Sequence, residues 1–388
     1  YVEREGANLD DFLIITYTRA AASELRGKIA KALTERMERD PGNYHLRQQM
    51  LRVYRADIKT VDAFCTALLR ENSHLLGEDA RGHALRPDFR VLDENEAQVL
   101  RERVLARTLD DFYDCLTPGG TLLADTLGAG RDDSALEDLV LELHAKLQAQ
   151  PYEDKWLDAQ RAFWRAVPDK IEDTPYGKIL LNEVRRKARH CKNLLQRAAQ
   201  EMCANDALNQ KYAPAFLDAS YQLEALEGKT AEGWDAARGV TIAFPRLAAV
   251  KDSDGGEMKA RMKSLWDNCK ETVKGFAEIF SASSDEAVED LRTMASAMLA
   301  LIDLTADFSR RYNEEKRRRN SADFSDQEHE AIRLLIGEDG APTELARIVS
   351  ARYREIMVDE YQDTNEVQNA IFQAVSREGQ NLFTVGDV

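Results

Sequence analysis

Ile356-Met357-Val358-Asp359-Glu360-Tyr361-Gln362-Asp363-Thr364-Asn365 is the stretch on which the reading of this chain turns. Three apolar residues followed by two carboxylates describe a short buried strand with acids at its C-terminal end. A strand end is a rigid mount, and ligands of open parallel sheets bind beyond the carboxyl ends of the strands. Asp359 is placed to hold Mg²⁺ through oxygen. Glu360 is placed to orient and deprotonate a water that attacks a phosphoryl group. A nucleotide hydrolase needs that arrangement. The alternative for a bare Asp-Glu pair is an exposed turn that caps the helix after it.

Working outward, Asn381-Leu382-Phe383-Thr384-Val385 is a second short apolar run, and a helical pattern around Glu366–Val375 separates the two. Near the other end, Phe12-Leu13-Ile14-Ile15-Thr16-Tyr17 is β-branched and aromatic, and a helix-favouring stretch follows from Ala20 to about Met37. Strand–helix–strand order of this kind predicts a parallel α/β sheet. The middle of the chain is mostly helical in pattern. Ser283 with Glu286 forms a capping box, and Val288, Leu291, Ala295, Met298 and Ile302 then recur at three- and four-residue steps. Its polar continuation reaches Arg319, which predicts an unusually long helix. Residues 131–150 and 176–204 also read as helices. Pro118-Gly119-Gly120 and residues 251–256 read as turns or loops, and 239–245 as either a short strand or an extended connection. The predicted layout is an α/β domain, residues 1–93 and 321–388, interrupted by a large, mainly α-helical insertion over 94–320.

Composition narrows the function. The 388 residues carry 53 Lys+Arg against 69 Asp+Glu, a net charge of −16, which argues against nucleic-acid binding through bulk charge. A mean hydropathy of −0.50 and the lack of a long uncharged apolar run exclude a transmembrane helix. The N-terminal residues lack the layout of a signal peptide, so no membrane partner and a cytoplasmic location are expected. Cys65, Cys115, Cys191, Cys203 and Cys269 form no C-x-x-C pair and read as reduced thiols.

The extension D-E-Y-Q-D-T-N resembles motif II of the UvrD/Rep/RecB group of superfamily 1 DNA helicases. Val385-Gly386-Asp387 resembles the start of their motif III. Residues 15–25 resemble their motif Ia, T-F-T-x-A-A-A-x-E-M, and Ile58-Lys59-Thr60-Val61-Asp62-Ala63-Phe64-Cys65 resembles T-I-H-S-F-C. Four signatures stand in family order. Residues 87–94 and 130–137, Trp156-Leu157 and Ser321-Ala322-Asp323-Phe324-Ser325-Asp326 resemble the AddA branch of the AddAB helicase–nucleases. The alternatives are a UvrD-, Rep- or RecB-like repair helicase, or a non-catalytic DNA-binding or subunit-docking module.

The resemblance implies a RecA-like P-loop-type domain whose parent uses ATP and Mg²⁺. It implies that Glu360 is catalytic and Asp359 holds the metal, and that Gln362, Asp363, Gly386 and Asp387 couple the ATP site to its neighbours. Thr16, Tyr17, Thr18, Arg19, Thr60 and Phe64 would bind DNA, although Phe64 on a helical face can equally be core. Implied partners are single-stranded DNA, a duplex end and a second subunit of the AddB type. Arg19 stands where relatives often carry Asn, and Asp62 and Ala63 replace His and Ser, so no DNA contact is assigned to Asp62. Two basic stretches, Arg310, Arg311, Lys316, Arg317, Arg318 and Arg319, and Arg185, Arg186, Lys187, Arg189, Lys192 and Arg197, could track a phosphate backbone or form solvated helix faces. Gly228-Lys229-Thr230 is the one G-K-T, but Leu223 stands where a P-loop requires Gly. The expectation is a fragment that starts after the P-loop and ends within motif III, inactive alone as an ATPase.

Overall fold

A computed structural model describes residues 1–3, 5–78, 82, 84–127, 134–251 and 256–387. The expected 251–256 loop and the branch marker at 130–137 therefore lie partly outside the described residues. The chain divides into two compact units, one formed by residues 1–161 with 300–388 and the other by 162–299.

The first unit is built on four parallel strands: β1 (Phe12–Thr16), β2 (Asp57–Thr60), β5 (Glu355–Val358) and β6 (Leu382–Thr384), in the order β2-β1-β5-β6. Two further strands, β3 (Arg90–Val91) and β4 (Ser321–Ala322), pair with each other in parallel. Parallel strands are buried on both faces. Here Leu13, Ile15, Ile356 and Val358 share one cluster with Val61, Phe64, Val367, Ile371 and Phe372. Ile14 and Ile58 face a second cluster with Ala22, Leu33, Leu46 and Val53. Alternate residues of β1 thus hold helices on opposite sides of the sheet. In register, Thr16 stands opposite Thr60, and Ile15 opposite Val358, so the carboxyl ends of β1, β2 and β5 share one edge.

The helix Arg19–Arg39 follows β1, capped by Thr18, whose side chain accepts from the Ala21 amide at 3.0 Å. The helix Glu366–Val375 follows β5, with Asn365 and Gln368 as its capping box. These elements match the expected pattern closely. The long helix runs Ser284–Arg318, and Ser283 and Glu286 form the expected box.

Three readings change. Pro118-Gly119-Gly120 opens the helix Pro118–Leu127, because proline's fixed φ suits a first helical turn and the Thr117 hydroxyl accepts the Gly120 amide at 3.0 Å. Residues 239–245 hold no strand and form an extended connection. The separate helical unit is shorter than the predicted 94–320 span. Residues 94–161 and 300–320 group with the sheet through the β3–β4 pairing and contacts such as Arg311 with Asp111.

The 162–299 unit has its own core. The helix Pro175–Met202 buries Val184, Ala188, Leu195 and Met202 against Phe216, Leu223 and Trp266. Gly228-Lys229-Thr230 ends the helix Ala213–Lys229, and Lys229 pairs with Glu232, so it is not a phosphate loop. Among the described residues no helix is long and apolar enough to cross a membrane, and all five cysteines are free thiols.

Candidate functional site

Asp359 and Glu360 leave the end of β5 at the sheet's carboxyl edge. The Asp359 amide donates to the Ile15 carbonyl at 3.1 Å, which fixes its backbone to β1. Its half-buried carboxylate accepts the Glu360 amide at 3.2 Å. One strand-end carboxylate is a donor set that fits Mg²⁺, which takes one or two carboxylates and completes its shell with phosphate oxygens and water. Glu360 is exposed and adopts a left-handed backbone, φ 53° and ψ 44°, which is rare for a residue with a side chain. Such a conformation costs about 1–3 kcal/mol and persists where neighbours impose it.

Those neighbours are visible. Residues Tyr361–Asp363 form a single 3₁₀ turn. The Tyr361 amide donates to the Val385 carbonyl at 2.8 Å, and the Val385 amide to the Val358 carbonyl at 2.9 Å. The Gln362 side chain donates to Glu360 at 2.5 Å and accepts from the Asp387 amide at 3.0 Å. Gly386 lies so close that a Cβ there would overlap the Gln362 side-chain oxygen. Gln362, Gly386 and Asp387 therefore meet as the motif resemblance implies. Asp363 is exposed on the other side of the turn, near Tyr17.

The end of β1 supplies the second half. Tyr17 is half-buried, and its hydroxyl shares a hydrogen bond of 2.5 Å with the Thr364 hydroxyl. Burial pushes the Tyr17 phenol up, keeping it protonated. Thr18 and Arg19 are exposed beside it. Thr16 and Thr60 are buried: Thr16 donates to the Thr18 carbonyl at 3.2 Å and Thr60 caps the helix Val61–Asn72. Phe64 is 5% exposed within the core, so its ring is closed to stacking, and of its two sequence readings the packing one is seen. Thr16, Thr60 and Phe64 thus shape the surface from beneath, while Tyr17, Thr18 and Arg19 form it.

Sequence reasoning passed over what lies behind. Glu328 is buried, and Gln368 donates to it at 2.7 Å. Burial pushes both the Glu328 and Asp62 carboxyls up, and Arg19 opposes this at Asp62. The capping pattern of Asn365 and Gln368 was the available signal. The basic stretches are largely neutralised within the protein. Arg318 and Arg319 pair with Glu315, Arg310 with Glu314, Arg317 with Glu330, Arg186 and Lys187 with Glu183, and Arg189 and Lys192 with Glu227. Lys316 is fully buried between Asp323 and Asp326 at 2.9 and 2.7 Å, with its ammonium 4.0 Å from the Tyr312 ring centre.

A parallel sheet packed on both faces, with acids at the end of one inner strand and hydroxyls at the end of its neighbour, defines a RecA-like motor domain, here accompanied by a helical unit. The family described as UvrD/REP helicase N-terminal domain matches residues 1–388, and the chain belongs to that family. Its relatives include AddA proteins, the larger chains of ATP-dependent helicase/nucleases. The one from Ruminiclostridium cellulolyticum is 30% identical over 98% of this chain and 31% of the relative. That from Desulfitobacterium hafniense is 34% identical over 99% of this chain and 28% of the relative, and that from Desulforudis audaxviator 33% over 98% and 32%. The chain spans about a third of the length of the curated relatives it matches.

Proposed function

We propose that this chain is the first motor domain, with its helical insertion, of an ATP-dependent DNA helicase–nuclease subunit that opens and resects duplex DNA ends for repair. The observation that carries the reading is Glu360 at the end of β5, held through Gln362 to Asp387. Asp359 would hold Mg²⁺ and Glu360 would take the proton of the attacking water. Bound ATP with its Mg²⁺ supplies the reactive phosphoryl group. A glycine-rich phosphate loop must come from outside these 388 residues, since the sequence holds none. The isolated chain is therefore inactive in ATP turnover.

Tyr17, Thr18 and Arg19 offer an aromatic face, a hydroxyl, a cation and a helix N-terminus at one edge, which suits a single strand gripped by base stacking and phosphate contacts. Such a grip does not require a basic protein. By likeness to its relatives, the parent protein works in the cytoplasm with a second subunit of the AddB kind. The test is strand displacement by the full-length protein that carries this domain, on duplexes with 3′ or 5′ single-stranded tails. ATP-dependent unwinding that starts from the 3′ tail is expected. DNA binding without any ATP turnover would instead assign a docking module.

A further inference from the structure

We propose that the hydrogen bond between Tyr17 and Thr364 is a positioning link, through which a DNA strand seated at the end of β1 acts on the acidic turn after β5. The inference rests on the helicase reading and adds to it a specific pair of residues. The T-F-T signature that this segment resembles has phenylalanine where this chain has Tyr17. Phenylalanine would offer the same ring for stacking but nothing toward Thr364. The hydroxyl is thus additional, and it is used: the two side-chain oxygens lie 2.5 Å apart across 347 positions of sequence.

Thr364 is well placed to transmit a movement. Its amide donates to the Tyr361 carbonyl at 3.1 Å and closes the 3₁₀ turn Tyr361–Asp363. That turn carries Gln362, which holds the Glu360 carboxylate on one side and the Asp387 amide on the other. The Tyr361 hydroxyl donates to Asn369 at 2.7 Å, pinning the turn to the following helix. Of these attachments, only the Tyr17 bond reaches the strand end that faces nucleic acid. A shift of the ring on stacking against a base pulls on Thr364 through a half-buried bond. The turn then sets where Gln362 holds Glu360.

The test uses the full-length helicase protein with Tyr17→Phe and Thr364→Val, singly and together. The readouts are ATP turnover at saturating single-stranded DNA, the KM for ATP, and DNA affinity. Tyr17→Phe keeps the ring, so DNA affinity and KM are expected to stay within about twofold. DNA-saturated kcat is expected to fall about fivefold, the effect of one hydrogen bond worth about 1 kcal/mol. Thr364→Val is expected to do the same, the double variant to be no worse than either single one, and Thr364→Ser to restore the rate. A DNA-saturated kcat within twofold of the parent for Tyr17→Phe would overturn the link and leave the helicase reading intact. So would multiplicative losses in the double variant. A parent protein whose ATP turnover ignores DNA would overturn the helicase reading and the link together.

Discussion

Gln362 stands between the Glu360 carboxylate and the Asp387 backbone: its Nε2 lies 2.5 Å from Glu360 Oε2, and its Oε1 accepts the Asp387 amide at 3.0 Å. The residue proposed to activate water is therefore held by a side chain that also senses the end of β6. A general base is useful only when positioned, and displacements near 1 Å cost up to about a hundredfold in rate.

Gln362→Glu keeps the side chain's size but replaces the donor toward Glu360 with a second carboxylate. In the full-length protein, kcat for ATP is expected to fall roughly tenfold or more with little change in KM. Gly386→Ala is expected to act in the same direction, since its Cβ would press on the Gln362 side-chain oxygen and lie 3.1 Å from the Gln362 and Tyr361 amides. Steady-state kinetics that leave both variants at parental kcat would break the proposed tie.

Arg19 and Phe64 separate surface from support. Arg19 is exposed at the end of β1, so Arg19→Ala is expected to weaken single-strand binding and reduce the slope of log affinity against log salt by about 0.7. Phe64→Ala instead opens a cavity in the sheet's core, at a cost of about 3–5 kcal/mol, and is expected to lower Tm. Salt titrations and melting curves on the two variants check the division. A Phe64→Ala protein of parental Tm with weakened DNA binding would reverse the assignment.

Asp323 and Asp326 share one buried cation, Lys316, which cannot balance two carboxylates. Burial pushes the Asp326 carboxyl up to about 7. Burial also pushes on Asp323, but Lys316 and its hydrogen bonds hold it down at about 2. An unfolded Asp titrates near 3.9. Between about pH 4 and 7 the folded chain keeps a proton on Asp326 that the unfolded chain has lost, so this group's stabilisation falls as pH rises through that window. Asp323 acts oppositely: its contribution is complete above about pH 4 and is lost as pH falls toward 2. Asp326→Asn is expected to flatten the decline of Tm between pH 5 and 7. An unchanged slope would remove Asp326 from the account.

Much of this was legible in sequence because it is local. Ile356–Val358 with Asp359 and Glu360, the helix Glu366–Val375 and the Ser283–Glu286 box each carry their signal within a few residues. β2 is less legible, since Asp57 and Lys59 interrupt its apolar residues. Asp57 is satisfied by Tyr353, 296 positions away, at 2.6 Å. Lys316 lies within a basic stretch and looks solvated, yet it is buried because the chain turns at Asn320 and returns Asp323 and Asp326 to it. Phe64 looks like a stacking aromatic from its motif, and only the packing of the helix Val61–Asn72 on the sheet decides otherwise. The Tyr17–Thr364 bond joins opposite ends of the sequence and has no local signal at all.

The most direct measurement is ATP binding and turnover, in parallel, by the full-length protein carrying Glu360→Gln. The substitution keeps shape and removes the base, so ATP affinity in the presence of Mg²⁺ is expected to stay within about twofold of the parent. Turnover with DNA is expected to fall by about 10²–10⁴. DNA-stimulated turnover within threefold of the parent would contradict the assignment of Glu360 as the catalytic carboxylate.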